Sequence, residues 1–213
     1  MSQNSRQWVA TKYFIGVDPG KTGGWGIVDV DGTPIAAAPL PYQEKLLDWQ
    51  QLTRQWGRAL ELTGAFGTEG ALHVCAEHPI VRSGESDTGH FNSGVNFGLI
   101  RAAAQTVGAR ITTPQPHIWK SKMRLGKDKA LSMRLCDELF PQMYDTIRGP
   151  RDGALDGVAE AILIAEYARR AELRIKSNER GGVDDMLAGT LIHSTFQGET
   201  PTSAFFAAMA GED

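Results

Sequence analysis

The sequence predicts an α/β domain with a mixed five-stranded sheet flanked by helices, and three features of its 213 residues lead there. Residues 13–37 hold three short β-prone runs separated by Gly-rich turns. Two further short strand-like runs, the apolar 72–77 and the β-prone 110–113, each follow a stretch of helical periodicity. Helical periodicity then returns in the C-terminal half. An opening meander followed by strands that alternate with helices belongs to one layered sheet.

The first strand is Tyr13-Phe14-Ile15-Gly16-Val17, ended by Asp18-Pro19-Gly20. The Gly-Lys-Thr at 20–22 raises the question of a nucleotide-binding P-loop. That motif needs a glycine five residues before Gly20, where the chain has Ile15, and Gly16 is one position too close. The residues after Thr22 also read as a strand over 23–30 rather than the helix a P-loop requires. Asp31-Gly32 supplies a hairpin turn into a third strand over 33–37.

Pro39-Leu40-Pro41 then breaks the chain, and residues 44–63 read as an amphipathic helix carrying Leu47, Leu52, Trp56 and Leu60. The fourth strand, 72–77, ends on Glu77. A polar loop over 82–93 leads to a helix over 95–107 and a fifth strand over 110–113, cut off by Pro114 and Pro116. Helices are predicted over 131–140 and 155–173. Residues 1–175 therefore form one domain, and 176–213 form a loosely packed tail with a possible short helix over 186–196. This element order is the ribonuclease H-like topology. It sets the ends of the first and fourth strands side by side, and so brings Asp18 to Glu77.

Composition bounds the function. A hydrophobic content of 41% over this length buries one sizeable core. The formal net charge of −3 and pI near 6.0 give no global attraction for nucleic acid, so such a function must rest on a local patch. Cys75 and Cys136 lie in apolar contexts without metal-ligand spacing, as reduced buried thiols do. No apolar run has transmembrane length and the polar N-terminus lacks a signal-peptide core, which points to an intracellular, cytoplasmic protein.

Carboxylates crowded together repel, and a cluster of them persists when a hard cation such as Mg2+ or Mn2+ neutralises it. Asp18 and Glu77 each end an apolar strand. Alone, either is an ordinary turn former; paired across two strands they are more specific. A third source of acid is Arg151 to Ala168, "RDGALDGVAEAILIAEYA", where Asp156 and Glu160 are four apart and share one helix face. The competing reading has Asp156 capping the helix and Glu160 solvated. Asp152, four residues before Asp156, competes for a place in the set.

"IGVDPGKTGGWGIVD", then Ala-Glu at a strand end, then "DGVAEAILIA" in the last helix resemble the RuvC-type Holliday-junction resolvases, especially their phage and organellar relatives. The resemblance runs from about Tyr13 to Ala168. Asp-Pro-Gly alone is weak, because sugar-kinase and actin-like ATPases have similar first strands; the ordered set of three motifs is more specific. It implies Asp18, Glu77, Asp156 and Glu160 as catalytic residues that bind two divalent metals. The bacterial prototypes space the last pair by three and this chain spaces it by four, which leaves Asp152 as a fallback ligand.

The chemistry expected of such a site is in-line attack of water on a phosphodiester, with one metal activating the nucleophile and the other, ~3.5–4 Å away, stabilising the leaving 3′ oxygen. Charge for DNA binding appears in "WKSKMRLGKDKALSMR", residues 119–134, as Lys120, Lys122, Arg124, Lys127, Lys129 and Arg134 against Asp128. The resemblance gives this segment phosphate contacts, although a solvated basic face is the plain alternative. Lys21 is placed near the scissile phosphate or simply in a solvated turn. Arg82 and Phe91, with His90 and Asn92, belong to the loop after Glu77, where Phe91 either stacks on unpaired bases or anchors the loop.

Symmetric cleavage of a four-way junction implies a homodimer, with the helix over 95–107 as candidate interface unless its apolar side is ordinary core. The predicted partner is branched DNA. Beside the resolvase reading stand a non-catalytic junction-binding protein, which the retained acids at all the matched positions argue against, and two catalytic alternatives. One is a related nuclease acting on flaps, forks or RNA–DNA hybrids. The other is an actin or sugar-kinase type ATPase, which needs a second phosphate-binding motif and a duplicated domain that 213 residues do not accommodate.

Overall fold

β1 (Tyr13–Val17) is the centre of the sheet. The computed structural model describes residues 11–61, 71–80, 84, 86–126, 128–149 and 152–179, with the side chains of 129 and 175–179 excepted. β1 pairs antiparallel with β2 (Gly24–Asp29), which pairs antiparallel with β3 (Pro34–Pro39). On its other side β1 runs parallel to β6 (Leu72–Ala76), and β6 parallel to β7 (Arg110–Thr112), giving the order β3-β2-β1-β6-β7. The predicted mixed five-stranded sheet is present. A separate two-stranded ribbon joins β4 (Tyr42–Gln43) to β5 (Leu46–Leu47).

Side-chain alternation along the strands builds two cores. Ile15, Val17, Trp25, Ile27 and Val74 face α1 (Trp49–Glu61) and α2 (Asp87–Thr106). Phe14, Val28 and Cys75 face α4 (Lys129–Leu139), α5 (Asp156–Glu179) and Trp119 of α3 (Pro116–Lys122). Helices thus cover both faces. Cys75 and Cys136 are buried free thiols, both pushed up to about 12 by burial and so held unreactive.

α5 lies directly on β1 and β2 because glycine removes the side chain that would hold it off. A Cβ at Gly16 would stand 2.0 Å from the Ala161 carbonyl oxygen and 2.3 Å from the Ala165 nitrogen. Gly157, in the first turn of α5, approaches the Thr22 carbonyl equally closely and bridges to Gly23. These contacts fix how far α5 advances along the sheet, and with it the position of Glu160.

Three expectations are corrected. The helix predicted over 44–63 begins at Trp49: Glu44 is a turn residue with φ 56° in the ribbon, and Asp48 caps the helix by accepting from the Gln51 N–H at 2.9 Å. Asn96 ties the ribbon to α2, accepting from the Leu47 N–H at 2.9 Å and donating to the Lys45 carbonyl at 3.1 Å. The helix predicted over 95–107 begins at Asp87, because Ser86 caps it through the Gly89 N–H; Phe91 is therefore on a helix, not in a loop. Pro116 does not merely end β7 but occupies the first turn of α3, where its missing N–H costs nothing. The predicted 186–196 helix and most of the tail lie outside the described residues. No described helix is long and apolar enough to cross a membrane.

Candidate active site

The parallel register sets Val17 opposite Ala76, so the next residues, Asp18 and Glu77, leave adjacent strands together, and the Glu77 N–H donates to the Val17 carbonyl at 2.9 Å. Asp18 is held by its own turn: its Oδ1 accepts from the Gly20 N–H at 3.1 Å, and its N–H donates to the Gly24 carbonyl at 3.0 Å. Tyr42 closes over this turn with its hydroxyl 3.2 Å from the Pro19 carbonyl, and burial with the nearby Asp18 charge pushes that phenol up to about 12.

Glu160 enters the same site from α5. Burial pushes the Asp18 carboxyl up from 3.8 to about 7, with Glu77 and Glu160 adding to the rise and the Gly20 N–H and Lys120 opposing it. Asp18 therefore feels the charge of both Glu77 and Glu160. Glu77 accepts a 2.6 Å hydrogen bond from the Trp119 indole. Glu160, itself buried, accepts at one oxygen from the Lys120 ammonium at 2.8 Å and from the Ser132 hydroxyl at 3.1 Å. Each acid thus has a separate donor, and among the described residues no three His, Cys, Asp or Glu side chains gather into a single ligand group. Their chemistry suits a hard divalent cation all the same, since the donors are carboxylate oxygens and ionising Asp18 there is costly without added positive charge.

Asp156 starts α5 one turn before Glu160. It borders an open cavity together with Ala130, Met133, Arg148, Asp152 and Ala154. Asp152 has a left-handed backbone with φ 57°, donates its N–H to the Gly149 carbonyl, and pairs its largely exposed carboxylate with Arg148 at 3.7 Å. That is a turn residue in form.

The basic run divides. Lys120 points into the carboxylate cluster, 5.2 Å from the Trp119 ring centroid, while Lys122, Arg124 and Arg134 are exposed. Lys21 is exposed in the β1–β2 turn, and Phe91 projects from α2 at 70% exposure, so it anchors no loop. Arg82, Lys127 and the side chain of Lys129 lie outside the described residues. On α2, Ile100, Ala103 and Ala104 are buried in the domain's own core.

The sequence matches no protein-family model and no curated protein. Among solved structures it is similar to RuvC of T. thermophilus in complex with a Holliday junction substrate, at TM-score 0.50 and 16% identity over 76% of this chain and 96% of that one. It is also similar to a structure of Thermus thermophilus RuvC, at TM-score 0.51 and 21% identity with the same coverage. The fold is ribonuclease H-like. Within this ribonuclease H-like frame, sequence reasoning missed the roles of Trp119 and Ser132. Trp119 carries a faint signal as an indole inside a basic run, whereas nothing sets Ser132 apart in a helix otherwise rich in apolar residues.

Proposed function

We propose that this chain is a divalent-metal-dependent endonuclease that cuts four-way DNA junctions as a homodimer. The observation that carries the reading is the convergence of Asp18, Glu77 and Glu160 at one end of the sheet, from two parallel strands and the helix packed across them. The likeness to RuvC, one structure of which holds a Holliday junction substrate, supports the choice of substrate.

Asp18, Glu77 and Glu160 would hold the metal, with Asp156 completing the set from the start of α5. Two ions bound there would supply activation of water and stabilisation of the leaving oxygen. The protein's own share is placement. β1 and β6 set Asp18 and Glu77 at the ends of adjacent parallel strands, and the buried Trp119 indole donates to Glu77 at 2.6 Å. We assign phosphate contacts to Lys122 and Arg124, exposed at the end of α3 and in the turn after it, and to Lys21, exposed in the β1–β2 turn. Lys127, Lys129 and Arg82 are assigned the same role from the sequence. Phe91 is an exposed aromatic that can stack on unpaired bases.

Purified protein offered equimolar four-way junctions, flaps, forks, RNA–DNA hybrid and linear duplex in Mg2+ should cut the junction fastest, with paired, symmetric nicks. Preference for flaps or hybrid would assign the same site to a different nuclease of this fold. Sedimentation of the protein alone should give a dimer.

A further inference from the structure

Among the described side chains of the basic run, Lys120 is the most deeply engaged cation. Its helix is pinned by Trp119, which is fully buried, so the ammonium is delivered to a fixed place. There it pairs with Glu160 Oε1 at 2.8 Å, with side-chain exposures of only 25% and 9% for the two partners. The Ser132 hydroxyl shares the same oxygen. Glu160 has few routes to water, so its charge needs a cation close by. A divalent ion engaging the same carboxylate would bring two further positive charges against the ammonium in a poorly hydrated site, and the two cations cannot both be favoured there.

We propose that Lys120 is an internal counterion that competes with a divalent cation for Glu160, stabilising the metal-free fold and raising the metal concentration the site requires. The inference rests on the metal-site reading given above. Its consequence is a coupling: DNA phosphate, by drawing the ammonium away from Glu160, strengthens metal binding, and by reciprocity metal strengthens DNA binding.

The test is Mn2+ titration by calorimetry, without DNA, on wild type, Lys120→Met, Lys120→Gln and Lys120→Arg, alongside thermal melts in EDTA and in saturating Mn2+. Lys120→Met and Lys120→Gln should bind Mn2+ more tightly, on the order of tenfold, within the usual range of coupling between sites. They should melt below wild type in EDTA, with much of the difference recovered in Mn2+. Lys120→Arg, which keeps the charge, should stay near wild type in both. Lys120→Gln can still hydrogen bond Glu160 and keeps the test open if Lys120→Met does not fold. A merely structural lysine would lower melting without tightening Mn2+, and unchanged or weaker Mn2+ binding in both neutral variants overturns the proposal. Failure of wild type and of both neutral variants to take up Mn2+ at millimolar concentration overturns both the proposal and the metal reading beneath it.

Discussion

Glu160, Asp156 and Asp152 are spaced one turn apart in sequence yet sit in three different settings. Glu160 is buried against Lys120 and Ser132, Asp156 opens α5, and Asp152 is a left-handed turn residue paired with Arg148. Glu160→Gln and Asp156→Asn should each lose most junction cleavage, whereas Asp152→Asn should cost stability rather than rate. Cleavage rates against Mg2+ concentration, with melting curves for each variant, check the order; an inactive, folded Asp152→Asn beside an active Glu160→Gln would move the ligand pair one turn earlier. Asp18 gives a second prediction. Unfolded, its carboxyl releases a proton near its ordinary value, but folded it holds that proton to about 7. The folded state therefore binds more protons between about pH 4 and 7, so in EDTA this group's contribution to stability falls as pH rises through that window. Asp18→Asn should flatten the decline. The comparison between wild type and variant isolates the effect, because His73, held down to about 4 mainly by burial, acts in the opposite sense over part of the range. Asp18 and Glu77 were legible because each ends an apolar strand. Trp119 and Ser132 were not, because their partners lie 42 and 28 residues away and only tertiary packing joins them.

The helix α5 is positioned by what its neighbours lack. Gly16→Ala would drive a methyl group into the Ala161 carbonyl and force α5 off β1. Overpacking of this kind costs about 1–3 kcal/mol, and since Glu160 rides on the displaced turn, cleavage should fall further than stability alone explains. Denaturant melts and single-turnover rates on the same preparation separate the two losses. The short α3 and the turn after it supply the exposed pair Lys122 and Arg124. Replacing both with alanine should make log binding against log salt shallower by roughly 0.9 for each duplex phosphate that the protein no longer neutralises; an unchanged slope would return them to a solvated face. The strands were readable from their apolar runs and turns. Three other elements were hidden by local chemistry with two meanings: Pro116 ends a strand and starts a helix, Ser86 with Gly89 and Gly94 suggests a loop yet caps and populates α2, and Glu44 sits in a positive-φ turn that helical spacing around it conceals.

At the scale of the molecule, the sheet order builds most of the site. Running β6 parallel to β1 places two strand-end acids side by side, and the α5 crossing brings the third without any contact close in sequence. That much of the arrangement followed from the order of elements read in the sequence. The pairing of Lys120 with Glu160 did not, because a charge run shows neither which of its members turns inward nor toward what. The most direct measurement of the central claim is cleavage of a mobile four-way junction by wild type and Glu77→Gln, each in Mg2+ and in EDTA, with gel-shift binding measured on the same samples. The account predicts paired nicks only from wild type in Mg2+, with Glu77→Gln binding the junction at least as well as wild type because a charge that repels phosphate has gone. Cleavage by Glu77→Gln at the wild-type rate, or by wild type in EDTA, would contradict it.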